Sequence, residues 1–236
     1  MLEKFNDMNL KDKITVICGV VVLIVIIFVL ATGFDRTLPK PVFEANSEQI
    51  NTLIDDLGDN YTMNITDTTG SVIKNYIHYY DGRLHLYESE NDNFGYLDYN
   101  GNRYQMDGLT KELTLFTGSV GYIDNPLYDY ELIKIFTDNC DYEYVNENKA
   151  TCKITLNDYL SYHNTKYNTS YVGNDSEYIN ISVSYGTRLN SIEIDYSAYN
   201  KVVNLAEDNV LVKIKFNYNS NNFNTIYDNY KDVLGE

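Results

Sequence analysis

Three histidines, three cysteines and many tyrosines are the residues on which chemistry could rest in this chain of 236 residues, which has 24 Tyr and no Trp. His78 and His85 flank Asp81-Gly82 in NYIHYYDGRLHLY. A two-residue turn at that dipeptide sets the two imidazoles directly opposite each other on neighbouring strands. So close a pair could hold Zn²⁺ or Cu²⁺ if a third ligand joined it. No Cys or carboxylate at the adjoining strand positions completes the set, so the expectation is a solvated pair among tyrosines and no metal site. ESENDN (88–93) alternates carboxylates as a Ca²⁺ loop does, but it lacks the Gly and Glu positions of that motif. It reads as an acidic turn. Tyr76, Tyr80 and Tyr87 could stack on sugars, or simply fill a half-wet strand surface.

The usual catalytic signatures are missing: no GxxxxGK[ST], no GxGxxG after a strand, no HExxH, no CxxC and no GxSxG. No nucleophile, base and orienting group stand together. Neither catalytic residues nor a cofactor are therefore expected, and the chain reads as a non-enzyme. Its formal net charge is −16. The acid excess lies beyond residue 33, because Lys4, Lys11 and Lys13 balance Glu3, Asp7 and Asp12. Such a surface repels nucleic acid, whose binding needs clustered Lys and Arg.

Cys140 and Cys152 stand in DNCDYEYVNENKATCKI, on either side of the turn-rich segment Asn146–Lys149. A hairpin with one Cys on each strand would let them pair in an oxidising compartment. Two buried free thiols are the alternative. Symmetric pairing about a four-residue loop does not set them opposite, so a disulfide requires a bulge or a different turn.

The elements that must position these groups follow from periodicity. Asn46 with Gln49 forms a capping box, Ile50, Leu53, Ile54 and Leu57 make one helical stripe, and Gly58 ends it. The turn at Asp81-Gly82 places Tyr79 across from Leu84 and Ile77 across from Leu86. Ile77, Tyr79, Leu84 and Leu86 then share an oily face, and Tyr76, His78, Tyr80, Arg83, His85 and Tyr87 the wet one. FGYLDYNGNRYQM turns at Asn100-Gly101, pairing Asp98 with Arg103 and Leu97 with Tyr104. A helix is predicted from Pro126, capped by Asn125, with Tyr128, Leu132, Ile135 and Phe136 on one side. NDYLSYHNT is helix or loop. Ile179, Ile181 and Val183, then Ile192, Ile194 and Tyr196, then Val210, Val212, Ile214 and Phe216 alternate as one-sided antiparallel strands. GNDSE (173–177) and NSNNFN (219–224) read as loop tips.

The chain opens with ITVICGVVVLIVIIFVLATGFDR. Between Lys13 and Asp35 lie 21 uncharged residues, which as a helix span about 31 Å, the thickness of a bilayer core. A cleavable signal has a shorter apolar region. An uncleaved anchor is favoured over a signal cut after Ala31-Thr32-Gly33, and over lipidation at Cys18, which sits too early in the run. The lysines before the run favour a cytoplasmic N-terminus. The expected plan is a short cytoplasmic tail (1–13), a transmembrane anchor (14–34), a linker holding Pro39 and Pro41 (35–45) and an extracytoplasmic domain (46–236) of a cell-membrane protein.

The fold class is α+β: an N-terminal transmembrane helix, then a curved antiparallel sheet with helices packed on its concave face. The segments NYTMNIT, YYDGRLHLYE, YLDYNGNRYQM and SYGTRLNSIEIDYS…VKIKFNY, in the order helix, meander, middle helix, meander, resemble the lipoprotein-carrier-like (LolA/LppX-type) half-barrels of bacterial envelopes. The resemblance implies a lipid, acyl chain or other apolar small molecule held between sheet and helices, although this chain lacks a lipidation cysteine after its apolar run. The lining would come from Ile77, Tyr79, Leu84, Leu86, Leu97, Ile181, Val183, Ile192 and Ile194, which would be plain core if the helices pack tightly. The alternative is a tethered surface protein with a filled core, whose Tyr/Asp-rich exterior meets an envelope protein or glycan.

Overall fold

The computed structural model describes residues 47–82, 84–218, 228, 231, 232 and 234. The expected tail 1–13, anchor 14–34, linker 35–45 and loop tip 219–224 lie outside the described residues. Among the described residues no helix is long and apolar enough to cross a membrane.

The framework is an open, half-barrel-like antiparallel sheet. Its strands are β1 (Tyr61–Thr69), β2 (Val72–Tyr80), β3 (Leu84–Ser89), β4 (Phe94–Tyr99), β5 (Asn102–Asp107), β6 (Leu113–Phe116), β7 (Glu143–Asn146), β8 (Lys149–Thr155), β9 (Tyr178–Tyr185), β10 (Leu189–Asp195) and β11 (Val210–Asn217). Their spatial order is β6-β5-β4-β3-β2-β1-β11-β10-β9-β8-β7. Two meanders therefore meet at the middle, where β1 pairs β11 from Thr62↔Asn217 to Thr69↔Val210. The chain leaves one edge at β6 and re-enters at the other with β7. Both edge strands are four residues long, which limits the unpaired backbone open to other chains.

Four helices join the core on one face: α1 (Ser47–Asp55), α2 (Tyr130–Thr137), α3 (Leu156–Tyr167) and α4 (Ser197–Val203). Alternation dictates which strand residues meet them. Met63 and Ile65 of β1, Ile179, Ile181 and Val183 of β9, Ile192 and Ile194 of β10, and Val212 and Ile214 of β11 share one cluster with Ile50, Ile54, Leu132, Ile133, Phe136, Leu156 and Tyr159. The stripe of α1 ends before Gly58, which takes φ +72°.

Several expectations need correction. Pro126–Tyr128 is a separate 3₁₀ turn capped by Asn125, and α2 starts afresh with Asp129 as its cap. That break rotates the helix, so Ile133 is buried and Ile135 lies exposed. Cys140 is not on a strand: it follows α2, and only Cys152 lies on β8. The two form a disulfide with Cα atoms 5.8 Å apart, tying the end of α2 to the sheet. This answers the mismatch that a symmetric hairpin left open.

The β2–β3 register also differs. Tyr80 pairs His85, Tyr79 pairs Leu86 and His78 pairs Tyr87. The reversal spans 81–84, with Gly82 at φ +75°. A turn centred on Asp81-Gly82 would put a positive φ on Asp81. Instead the Asp81 carboxylate accepts the Leu84 amide at 2.8 Å, a local side-chain bond that holds Asp81 outside the turn's centre. The shift is two residues, so every side chain keeps its face but changes its partner. At Asn100-Gly101 both residues have positive φ (48° and 76°), as a two-residue hairpin turn requires, and Asp98 pairs Arg103 as read from the sequence.

Candidate functional site

The nine residues expected to line one concave pocket do not share a face. Ile181, Val183, Ile192 and Ile194 sit under the helices, none more than 1% exposed, inside a closed core. Ile77, Tyr79, Leu84, Leu86 and Leu97 point to the opposite side of the sheet, as the β1–β2 register requires: Tyr76 and His78, not Ile77, lie beside Ile65 and Met63. Leu84, Leu86 and Leu97 form a second cluster with Tyr99 and Met106, and Leu234 packs against it. The face of β2 and β3 expected to be wet is the one turned toward the helices.

Tyrosine explains the inversion. Its ring contributes buried apolar area while its hydroxyl needs one partner, and here partners are built in. Tyr128 donates to Asp67, Tyr130 to the Ile54 carbonyl at 2.7 Å, and Tyr167 to Asp129. The Tyr87 hydroxyl and His85 Nδ1 share a 3.0 Å bond. Tyr76 stacks on Tyr122 with centroids 5.0 Å apart and tilts against Tyr128 at 5.3 Å.

The segment 117–124, between β6 and the 3₁₀ turn, is stapled from β5. Arg103 grips Asp98 through Nε at 2.7 Å and Nη2 at 2.9 Å, and reaches Asp124 with Nη1 at 2.9 Å. Asp124 also accepts the Val120 amide at 2.7 Å and the Ser119 hydroxyl at 2.9 Å. Burial pushes the Asp124 carboxyl up, but these bonds outweigh it and hold it below the usual carboxylate range. Asp129 is balanced likewise: burial raises it, Lys166 and Tyr167 lower it further than burial raises it, and it still accepts the Glu131 and Leu132 amides to cap α2.

Between this segment, the start of α2 and strands β1–β3 lies a cleft of about 370 Å³. Met63, His78, Tyr87, Tyr128 and Tyr130 are its buried lining. Tyr61, Tyr80, His85, Ile123, Asp124 and Glu131 stand nearer solvent. His78 donates Nε2–H to the Tyr122 carbonyl at 3.2 Å. Burial, against that carbonyl and aided by His85, lowers its pKa to about 4. Burial also lowers His85, opposed by Asp98 and Asp81. Both imidazoles are therefore neutral at neutral pH. They are not opposite each other, and among the described residues no group of three His, Cys, Asp or Glu gathers to hold a metal.

Of the nine expected residues only Tyr79 borders the cleft. Tyr61, Ile123, Tyr128, Tyr130, Glu131 and Tyr167 were missed, since they come from segments with no strand alternation of their own or from strand ends. The available signal was Tyr76, Tyr80 and Tyr87 sharing a face. The ESENDN turn uses its carboxylates internally: Glu90 accepts from Asn75 at 2.8 Å and Asp92 accepts the Phe94 amide at 3.2 Å.

No protein-family model and no curated protein matches the sequence. Among solved structures, a DUF1329 family protein from Desulfovibrio piger is similar over 74% of this chain and 92% of its own, at 10% identity and a TM-score of 0.30. The large antiparallel sheet fits lipoprotein-carrier-like folds in general.

Proposed function

We propose that the chain is a membrane-anchored, extracytoplasmic binding module of the lipoprotein-carrier-like (LolA/LppX) type, and that its ligand is a small molecule held in the tyrosine cleft. The cleft carries this reading: it is a concave site walled by aromatic rings with a few fixed polar groups, the usual make-up of a small-molecule site. Its volume is at the small end for such sites. The apolar run 14–34 and the Cys140–Cys152 disulfide support the anchor and the oxidising side of the membrane. An acyl chain between helices and sheet is a poorer fit, because Ile181, Val183, Ile192 and Ile194 are packed shut. A Tyr-rich exterior for an envelope protein or glycan is a poorer fit too, because Tyr76 and Tyr87 are buried inward.

The test is a thermal-shift screen of organic amines, neutral sugars and medium-chain fatty acids. It uses the full-length chain and an Ile123→Trp variant that fills the cleft. At least one class should stabilise the native chain and lose its effect in the variant. Stabilisation equal in both proteins, or in neither by any class, refutes the reading.

A further inference from the structure

We infer that the tyrosine cleft selects a small organic cation, a quaternary or protonated amine, over neutral and anionic ligands; this rests on the cleft being the binding site. The first support is the sign of its walls. Among the described residues that line it there is no Lys or Arg, whereas Asp124, Asp129 and Glu131 are all present. The neighbouring hollow shares Tyr61, Tyr80, His85, Tyr130 and Glu131 and adds Asp55, Asp56 and Asp59 against one cation, Lys134. Acidic side chains around a partly closed hollow focus a negative potential into it.

The nearby cations are already committed. Arg103 is spent on Asp98 and Asp124, and Lys166 on Asp129 at 2.8 Å. Lys134 lies 3.4 Å from Glu131, whose side chain is still 69% exposed. Glu131 therefore shares its charge with Lys134, but its exposure makes it the lip carboxylate that an incoming cation can reach. An anion finds no counterpart among these groups. The amides that open α2, which elsewhere can receive a phosphate or carboxylate, are taken by the Asp129 side chain.

The second support is the aromatic surface. Tyrosine rings attract a cation held over their faces, and more so when it is desolvated. Tyr61 and Tyr80 lie with centroids 5.1 Å apart at a 47° tilt, and Tyr80 meets His85 edge to face at 4.4 Å. These rings form the outer wall, with buried Tyr87, Tyr128 and Tyr130 behind them. Burial and then the charges of Tyr80 and Glu131 hold the Tyr61 phenol well above its ordinary range. Tyr61 therefore faces the cleft as a neutral ring, with Glu131 beside it.

The experiment is calorimetric titration of the full-length chain with choline and with 3,3-dimethylbutan-1-ol, its neutral carbon isostere. Glucose and octanoate are run beside them, and each titration is repeated on Glu131→Gln and Ile123→Trp. Choline should bind about tenfold or more tightly than the isostere. It should weaken severalfold in Glu131→Gln and in higher salt, and lose binding in Ile123→Trp. If the isostere, glucose or octanoate binds as well as choline and Ile123→Trp abolishes it, the cation assignment fails while the cleft stands. Choline binding untouched by salt and by Glu131→Gln also overturns the assignment. If no probe binds, or binding survives Ile123→Trp, the cleft reading fails and the assignment with it.

Discussion

Tyr87, not His85, stands across the strand from His78, and the two rings meet edge to face with centroids 4.8 Å apart. That pairing follows from where the β2–β3 turn sits, and it determines which aromatic groups wall the cleft.

The turn is therefore the first place to test. Gly82 holds φ +75°, a conformation costing an L side chain about 1–2 kcal/mol. Gly82→Ala should lose that much in urea unfolding. Asp81→Ala should lose about 1 kcal/mol, because the Leu84 amide forfeits its acceptor. A neutral Gly82→Ala would contradict the turn assignment.

His78 gives a pH dependence with a definite sign. Its pKa is about 4 when folded against the ordinary imidazole value of 6.5, so below 6.5 the unfolded chain takes up the proton more readily. The contribution of neutral His78 is whole above that value, erodes as pH falls from 6.5 to 4, and is gone below. It is on the order of 3 kcal/mol. The melting temperature should fall more between pH 7 and pH 5 for the native chain than for His78→Gln. Equal falls would show that His78 is not the buried neutral group described.

Arg103 ties β5 to the segment that covers the cleft. Arg103→Lys keeps the charge but not the fork that meets two carboxylates. The ion pairs are partly exposed, so the stability loss should stay near 1 kcal/mol. Proteolysis within 117–124 should nonetheless quicken. Unchanged cleavage there would mean that the segment is held by the packing of Tyr122 alone.

The disulfide joins residues separated by 12 positions, and closing a loop of that length is worth about 3 kcal/mol. The oxidised, denatured chain should show one reactive thiol, Cys18, and three after reduction. A Cys152→Ser variant should unfold at lower urea. Three thiols before reduction would contradict the bond.

Much of the framework was legible in the sequence, and the failures have physical causes. The Asn100-Gly101 hairpin reads directly because both residues tolerate positive φ and nothing competes with the turn. Asp81-Gly82 looks equivalent, but the Asp81 carboxylate captures a backbone amide and moves the turn. Alternation in β9, β10 and β11 marks one oily face because the other face is plainly polar. In β2 and β3 both faces are buriable: Leu84 and Leu86 on one, Tyr76 and Tyr87 on the other. The choice between them rests with the segment 117–130, where Asp124 holds the Val120 amide and Asn125 caps the 3₁₀ turn, leaving irregular backbone with no period to read. The cleft lies between those two kinds of structure, and no single stretch announces it.

The most direct measurement is an NMR titration of the full-length chain carrying ring-labelled tyrosine, with choline as the ligand and glucose and octanoate in parallel. Ring signals of Tyr61, Tyr80 and Tyr87 should move with choline while those of the core residues Tyr159 and Tyr196 stay still. Movement centred on Tyr159 and Tyr196, or no movement of the cleft tyrosines with any of the three, would contradict the cleft assignment.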